Sequence, residues 1–187
     1  QVAPRADDYV YVSGYSLLLE GKAQALLDWL LALPREITVV FDPGPLVKAP
    51  DSALMRALLP RIDIWTSNGP EAMAFTGATD IASALRELGR HLPAQTLRVV
   101  RDGPNGCWVG RAGEIEHVPG FKVRAVDSNG AGDAHAGVFI AGLASGLTPA
   151  VAARRANAAA ALAVTRWGPA TCPGTAEVNA LLGDAGK

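Results

Sequence analysis

The sequence contains little cysteine and little histidine, which limits the metal sites it can form. Cys107 and Cys172 are the only cysteines among 187 residues, and they stand outside any metal-type spacing such as C-x-x-C. His91, His117 and His135 are equally scattered, so the sequence predicts no structural zinc site. Isolated cysteines of this kind are typical of reduced, partly buried thiols, and they predict a cytoplasmic protein.

A charge excess and long apolar runs are also missing. The 17 Lys and Arg residues nearly balance 18 Asp and Glu residues, for a net charge of -1. No basic excess therefore favours nucleic acid as a partner. No segment has the about 18 apolar residues needed to span a bilayer, and no basic-then-apolar start indicates a signal peptide. We expect no nucleic acid and no membrane among the partners. The chain starts at Gln1 rather than Met, so we interpret it as processed, trimmed or part of a longer product.

The length and the 49% hydrophobic fraction predict one domain over residues 1–187. The predicted strands are Asp7–Ser13, Ile37–Phe41, Ile62–Thr66 and Leu97–Arg101, followed by a hairpin of Gly106–Val109 and Glu114–Val118. The predicted helices are Lys22–Leu33, Ser52–Leu59, Glu71–Thr76, Ile81–His91, Ala131–Ser145, Pro149–Arg166 and Thr175–Leu182. Asp51 is a candidate N-cap for the second helix. This alternation predicts a mostly parallel sheet with helices on both faces and an antiparallel hairpin at one edge.

A glycine-rich stretch, Gly130-Ala131-Gly132-Asp133, stands directly before the long apolar helix that begins near Ala131. It is not a Walker A loop (G-x-x-x-x-G-K-S/T). Gly132 and Gly137 have the glycine spacing of that motif, but Val138 and Phe139 follow in place of Lys and Ser/Thr. It is not a dinucleotide fingerprint either, because His135 stands where that motif needs its third small residue. The two commonest phosphate loops are therefore excluded.

The same stretch has the properties of an anion site at a helix N-terminus. Unpaired N–H groups and the helix dipole favour a negative charge there, and the glycines allow a phosphate close to the backbone. Asp133 in the first turn could then take a proton from a substrate hydroxyl. The alternative is an ordinary N-cap with a first-turn acid, and the local pattern leaves both open.

The segment Asp127–Asp133 (DSNGAGD) resembles the C-terminal signature D-T-x-G-A-G-D of the ribokinase-like (PfkB) family of carbohydrate and nucleoside kinases. Four further segments resemble family motifs in the right order and extend the resemblance over most of the chain. They are the D-P turn at Asp42-Pro43, the N-x-x-E motif at Asn68–Glu71, the strand and G-x-x-G loop at Val99–Gly106, and the closing segment Ala163–Pro173. The resemblance implies a ribokinase-like three-layer α/β/α sandwich with a mostly parallel central sheet and a C-terminal β-hairpin.

The resemblance implies a role for each matching residue. Asp133 would be the catalytic base, and Gly130, Ala131 and Gly132 the anion hole for the transferring phosphate. The other implied site residues are Asn68 and Glu71 for Mg²⁺ and its waters, Arg101, Gly103, Gly106 and Asn157 for ATP, and the backbone carbonyls of Asp127 and Asn129 for a monovalent cation such as K⁺. Simpler alternatives stay open: a strand-end turn residue at Asn68, a first-turn acid at Glu71, a surface position for Arg101 and a plain polar helix position for Asn157.

Several departures from the family pattern qualify the resemblance. Ser128 replaces the usual Thr, and His135 stands where Phe is frequent, which favours a packed or solvated histidine over one that faces the acceptor. The upstream part of the family fold, with its acceptor-binding residues and its β-strand lid, has no counterpart. We therefore expect the ATP-binding and catalytic half, which by itself is a poor or inactive kinase. A homodimer is implied for a full-length protein, because the lid often makes that contact.

The function implied is transfer of the γ-phosphate of ATP to a hydroxyl of a sugar or sugar-like substrate. Two alternatives remain at this stage. One is a nucleoside or pyrimidine-alcohol kinase, which shares the same C-terminal machinery. The other is a non-catalytic nucleotide-binding remnant of the fold, which would have no need to retain Asp133.

Overall fold

The computed structural model describes residues 3–18, 21–45 and 52–184. The chain divides into two compact units, one formed by the residues up to Val100 together with Gly110–Ile115, the other by Arg101–Val109 together with the residues from Glu116 onward. Asp51, the predicted N-cap, lies outside the described residues. Ser52 caps the following helix, where its Oγ accepts a hydrogen bond from the N–H of Met55 at 3.1 Å.

Strands and helices alternate along the chain much as predicted. The strands are β1 Tyr9–Ser13, β2 Thr38–Asp42, β3 Ile64–Asn68, β4 Leu97–Arg101, β5 Gly106–Arg111 and β6 Glu114–Pro119. The helices are α1 Ala23–Ala32, α2 Ala53–Leu58, α3 Gly69–Thr76, α4 Ile81–His91, α5 Ala131–Ala144, α6 Pro149–Ala163 and α7 Thr175–Asp184. In the part of the chain that is described, none of these helices has both the length and the apolar character of a membrane span.

The six strands form one sheet in the order β1-β2-β3-β4-β5-β6. β1 pairs with β2 in parallel, with Tyr9 opposite Thr38, and β2 pairs with β3 in parallel, with Val40 opposite Ile64. Only Ala112 and Gly113 separate β5 from β6, and a connection this short requires antiparallel neighbours. The predicted hairpin is therefore confirmed.

β3 begins two residues later than the predicted Ile62–Thr66, because a cluster built on the buried Arg61 occupies the approach to the strand. The Arg61 guanidinium, 1% exposed, donates to Asp63 Oδ2 at 2.6 Å and to the carbonyl of Ile37 at 2.7 Å. Asp63 Oδ2 also accepts a hydrogen bond from the N–H of Val39 at 2.8 Å. Removing the Asp63 carboxylate would leave the buried charge of Arg61 without its ion-pair partner, so this cluster holds the chain in place just before β3.

The first unit has an aromatic core. Phe41 of β2 meets Trp65 of β3 edge to face at 5.6 Å between ring centroids, and Trp65 meets Phe75 of α3 at 4.7 Å. Trp65 also donates its indole N–H to Ser67 Oγ at 3.0 Å, so its one polar atom is satisfied inside the core. This packing places the end of β3 and the start of α3, where Asn68 stands.

The second unit is built on closely packed small residues. α6 buries eight residues, seven of them alanine. A Cβ atom built at Gly142 of α5 would lie 3.0 Å from the Cβ of Ala152, so the two helices pack with almost no side chain between them. The alanine-rich stretch is thus a packed helix, as the sequence predicts. α6 stops at Ala163 rather than Arg166, because Thr165 and Arg166 turn back with three-residue hydrogen bonds to Leu162 and Ala163.

Candidate active site

Gly130 starts α5 in a conformation that favours glycine. Its φ of 76° lies in the left-handed region, and it is the N-cap residue of the helix. A Cβ atom built there would lie 2.8 Å from the carbonyl carbon of Pro169 and would overlap the carbonyl oxygen. Glycine has no side chain to cap the helix, and the N–H of Ala131 donates to the carbonyl of Ser128 at 3.3 Å, so the next N–H groups of the first turn, those of Gly132 and Asp133, can serve an anion.

The loop before α5 is held by the side chain of Asp127. Its Oδ1 accepts the N–H of Asn129 at 2.9 Å, and its Oδ2 accepts the N–H of Gly168 at 3.0 Å. The hydrogen bond from Asn129 has the largest effect on the pKa of the Asp127 carboxyl, followed by that from Gly168, and both lower it. The sequence pointed to backbone carbonyls here, and it missed this side-chain role. The sequence signal for this role is the Asp-Ser-Asn triplet at residues 127–129, since an aspartate side chain readily accepts a hydrogen bond from the N–H two residues later.

Asp133 lies in the first turn of α5, and the side chain of Arg101, from the end of β4, reaches the same turn. Asp133 is exposed in the first turn of the helix. A Cβ atom built at Gly132 would lie 3.6 Å from Arg101 Nη2, so the half-buried guanidinium lies against the glycine. The helix N-terminus therefore has a fixed positive charge beside it and an ionisable carboxylate on its first turn. This combination can bind an anion and accept a proton.

The predicted nucleotide loop packs backbone to backbone against the end of β6. Gly106 has φ 104° and ψ −128°, and a Cβ atom there would lie 2.7 Å from the carbonyl carbon of Pro119. A Cβ atom at Gly120 would lie 2.5 Å from the carbonyl oxygen of Pro104, and the N–H of Gly120 donates to Asn105 at 3.0 Å. Gly106 and Gly120 thus face each other with no room for side chains. Gly103, by contrast, has open space around it.

Asn157 is buried, with 5% of its surface exposed, and its amide is used within the fold. Its Nδ2 donates to the carbonyls of Val118 at 2.9 Å and Pro119 at 3.2 Å, and its Oδ1 lies 3.1 Å from His135 Nε2. These bonds join α6 to the end of β6 and to α5. The role of Asn157 beside adenine stays a prediction.

His135 is packed, as the sequence favoured, and 2% exposed. Burial, and next the charge of Arg101, lower the pKa of His135 to about 3, while the Asn157 hydrogen bond opposes them. The ring is therefore neutral throughout the physiological range. Its Nδ1 has no hydrogen-bond partner among the described residues.

The two cysteines differ in burial. Cys107 is buried, and burial raises the pKa of its thiol to about 12, which makes it inert. Cys172 is exposed, so the expectation of two partly buried thiols is wrong for this residue. It lies on the loop before α7, where Pro173 rather than the cysteine packs inward. Both are free thiols.

Asn68 and Glu71 form a reciprocal capping box at the start of α3, in the first unit. Asn68 Oδ1 accepts the N–H of Glu71 at 2.8 Å, and Glu71 Oε2 accepts the N–H of Asn68 at 2.9 Å. The box fixes both side chains at the helix start. No group of three or more His, Cys, Asp or Glu residues suited to a metal occurs within the described ranges. One carboxylate and one amide suit a Mg²⁺ ion that keeps several waters.

The structure thus collects most predicted site residues in the second unit. These are Arg101, Gly103, Gly106, Asp127, Asn129, Gly130, Ala131, Gly132, Asp133 and Asn157, whereas Asn68 and Glu71 belong to the first unit. Sequence reasoning missed Gly120 and the link between His135 and Asn157. The signal for Gly120 is its place directly after Val118-Pro119 at the end of a strand. Nothing local in the sequence indicates the link between His135 and Asn157.

Known proteins resemble this chain over nearly its whole length. A family model described as pfkB family carbohydrate kinase matches residues 3–176. The chain is 32% identical over 167 residues to a protein of Escherichia coli (strain K12) described as uncharacterized sugar kinase YegV. The match covers 88% of this chain and 51% of that protein. The chain therefore spans about half the length of this relative.

Two solved structures superpose on most of the chain. The crystal structure of ribokinase from Thermotoga maritima does so with a TM-score of 0.76 and 26% identity, over 94% of this chain and 57% of that one. Aminoimidazole riboside kinase from Salmonella enterica, solved with aminoimidazole riboside and an ATP analogue, gives a TM-score of 0.82 and 25% identity, over 95% and 63%. The predicted fold class, a ribokinase-like α/β/α sandwich with a mostly parallel sheet, is confirmed. Given a family match over residues 3–176, the chain belongs to the pfkB family of carbohydrate kinases.

Proposed function

We propose that this chain is the nucleotide-binding and phosphoryl-transfer half of an ATP-dependent kinase that acts on a hydroxyl of a sugar or sugar-like substrate. The start of α5 is the observation that supports it most. Gly130 takes a left-handed conformation against Pro169, the Arg101 guanidinium lies against Gly132, and Asp133 follows in the first turn. Family membership gives this arrangement its chemical meaning.

In the proposed reaction, the acceptor hydroxyl oxygen attacks the γ-phosphorus of ATP and the bond to the ADP oxygen breaks. Asp133 takes the proton that the hydroxyl loses. The backbone of Gly130, Ala131 and Gly132, together with the helix dipole, stabilises the charge on the transferring phosphoryl group. The guanidinium of Arg101 adds a permanent positive charge beside this anion hole.

The remaining residues hold the nucleotide and the ions. Gly103 and Gly106 let the nucleotide lie close to the backbone of their loop. Asn157 donates to the end of β6, which packs against that loop. Asn68 and Glu71 would hold Mg²⁺, which when bound neutralises charge on the phosphates. The hydrogen bonds of Asp127 shape the loop whose carbonyls, at Asp127 and Asn129, would bind K⁺.

The acceptor is proposed as a sugar or a riboside. The comparison proteins include a ribokinase and an aminoimidazole riboside kinase, which favours a ribose-like acceptor over a pyrimidine alcohol. We further propose that residues 1–187 act as one cytoplasmic domain and that a protein with the acceptor-binding half is a homodimer. The chain alone would transfer phosphate poorly, because transfer requires the acceptor in line with ATP.

Calorimetric titration with ATP and Mg²⁺ is the first test, followed by a transfer assay on a panel of sugars and ribosides. We expect the 187-residue chain to bind ATP and to transfer little. A fusion that supplies the acceptor-binding half of a ribokinase should restore transfer. ATP binding without transfer by such a fusion would favour the non-catalytic remnant, and absence of ATP binding would overturn the proposal.

A further inference from the structure

A chain of buried hydrogen bonds runs from α5 to the predicted nucleotide loop. It starts at His135, two residues after Asp133, and passes through Asn157 of α6 to the carbonyls of Val118 and Pro119. The next residue, Gly120, donates its N–H to Asn105 in the loop at 3.0 Å. All its members belong to the second unit.

The chemistry of Asn157 determines which nitrogen of His135 carries the proton. Two carbonyls lie within hydrogen-bond distance of Asn157 Nδ2, and carbonyls only accept, so this atom must be the amide nitrogen. The atom that faces His135 is then the amide oxygen, which also only accepts. Hence His135 Nε2 carries the hydrogen, and Nδ1 is the bare nitrogen left without a partner among the described residues.

This fixed donor has a consequence for the loop. Without it the Asn157 oxygen would lose the donor that faces it inside the fold, and the amide could turn to seek another partner, which breaks its bonds to β6. The end of β6 and the loop have no side chains between them, because Gly106 and Gly120 meet backbone to backbone. A shift of Val118 and Pro119 is therefore transmitted directly to the loop.

We propose that His135 is a positioning residue: its Nε2–H orients the Asn157 amide, which holds the end of β6 against the nucleotide loop at Gly103–Gly106. His135 does not touch the reacting groups in this account. Its consequence for nucleotide affinity rests on the proposed function, whereas its effect on the loop does not.

Backbone amide exchange in the 187-residue chain tests the positioning role. In His135→Phe the ring volume is kept and the donor is lost, so we expect exchange of the Gly120 N–H to rise about tenfold relative to protected amides of α6. His135→Gln presents an N–H at the corresponding place and should restore the slow rate. His91→Gln, the same change at an exposed histidine on α4, is the matched control and should change nothing at Gly120. Unchanged or uniformly faster exchange would overturn the proposal.

Two further readouts keep the outcome clear. In the unmutated chain, ¹⁵N NMR should show His135 as the neutral Nε2–H tautomer; a proton on Nδ1 would contradict the inference even if His135→Phe failed to fold. ADP affinity should fall about fivefold to tenfold in His135→Phe and recover in His135→Gln. If the unmutated chain does not bind ADP, the proposed function fails, while the exchange result still decides the positioning role.

Discussion

Replacing Gly130 with alanine should destabilise the chain by about 2–5 kcal/mol. Two costs add. A residue other than glycine pays about 1–2 kcal/mol at a φ of 76°. The new Cβ overlaps the carbonyl of Pro169, and forced overpacking of this kind costs about 1–3 kcal/mol. The loop cannot simply move away, because the N–H of Gly168 is bonded to Asp127.

Gly146 offers a matched control just beyond the other end of α5. Its φ is 81°, nearly that of Gly130, but nothing lies within 4 Å of a Cβ built there. Gly146→Ala therefore pays only the backbone cost, about 1–2 kcal/mol, and the effect of alanine on the unfolded chain is common to both variants. Urea unfolding of the two variants measures the difference. Equal free energies of unfolding would show that the contact with Pro169 does not constrain the start of α5.

Three further predictions follow from the same geometry. Gly106→Ala should weaken ADP binding by about tenfold or more, since its Cβ would meet Val118 and Pro119. Gly113→Ala, at the hairpin turn where nothing lies within 4 Å of the added Cβ, is the control and should leave ADP binding nearly unchanged; calorimetry measures both. Asp127→Asn should destabilise the chain at neutral pH, because a carboxyl whose pKa is lowered in the folded chain contributes stability above its usual pKa of 3.8. The difference in urea midpoint between the variant and the unmutated chain should shrink as the pH falls below 3.8. A difference that stays constant with pH would contradict this prediction. The pKa of His135 is lowered to about 3 from 6.5, so the neutral ring contributes to stability above pH 6.5 and this contribution is lost as the pH falls. At about pH 5 the free energy of unfolding of the unmutated chain should have fallen by about 2 kcal/mol more than that of His135→Phe. Parallel pH profiles of the two unfolding free energies would refute this prediction.

The elements that the sequence predicted best are those with local signals. α4 spans Ile81–His91 as predicted, because Asp80 caps it through the N–H of Ser83 at 2.8 Å and its apolar residues recur at helical spacing. The start of α5 also has a local signal, since the φ of 76° at residue 130 favours the glycine found there. Caps and periodicity act within a few residues, so a sequence displays them.

What the sequence did not reveal depends on distant residues. The shifted start of β3 results from a buried arginine, Arg61, bonded to a carbonyl 24 residues away. His135 and Asn157 are 22 residues apart, and each by itself reads as an ordinary helix position. Burial and mutual geometry, which only the folded chain supplies, turn these residues into a network. The roles of the predicted catalytic and metal residues stay predictions.

Asp133 is proposed as the base of a phosphoryl transfer, and the decisive experiment is Asp133→Asn in the fusion that supplies the acceptor-binding half. We expect transfer from γ-labelled ATP to fall by about 10²–10⁴-fold, the contribution of a positioned general base, with ATP affinity nearly unchanged. The side chain of Asp133 is exposed in the first turn, so the substitution leaves the packing of α5 intact, and circular dichroism verifies this. Transfer that persists at the unmutated rate would show that Asp133 is not the base.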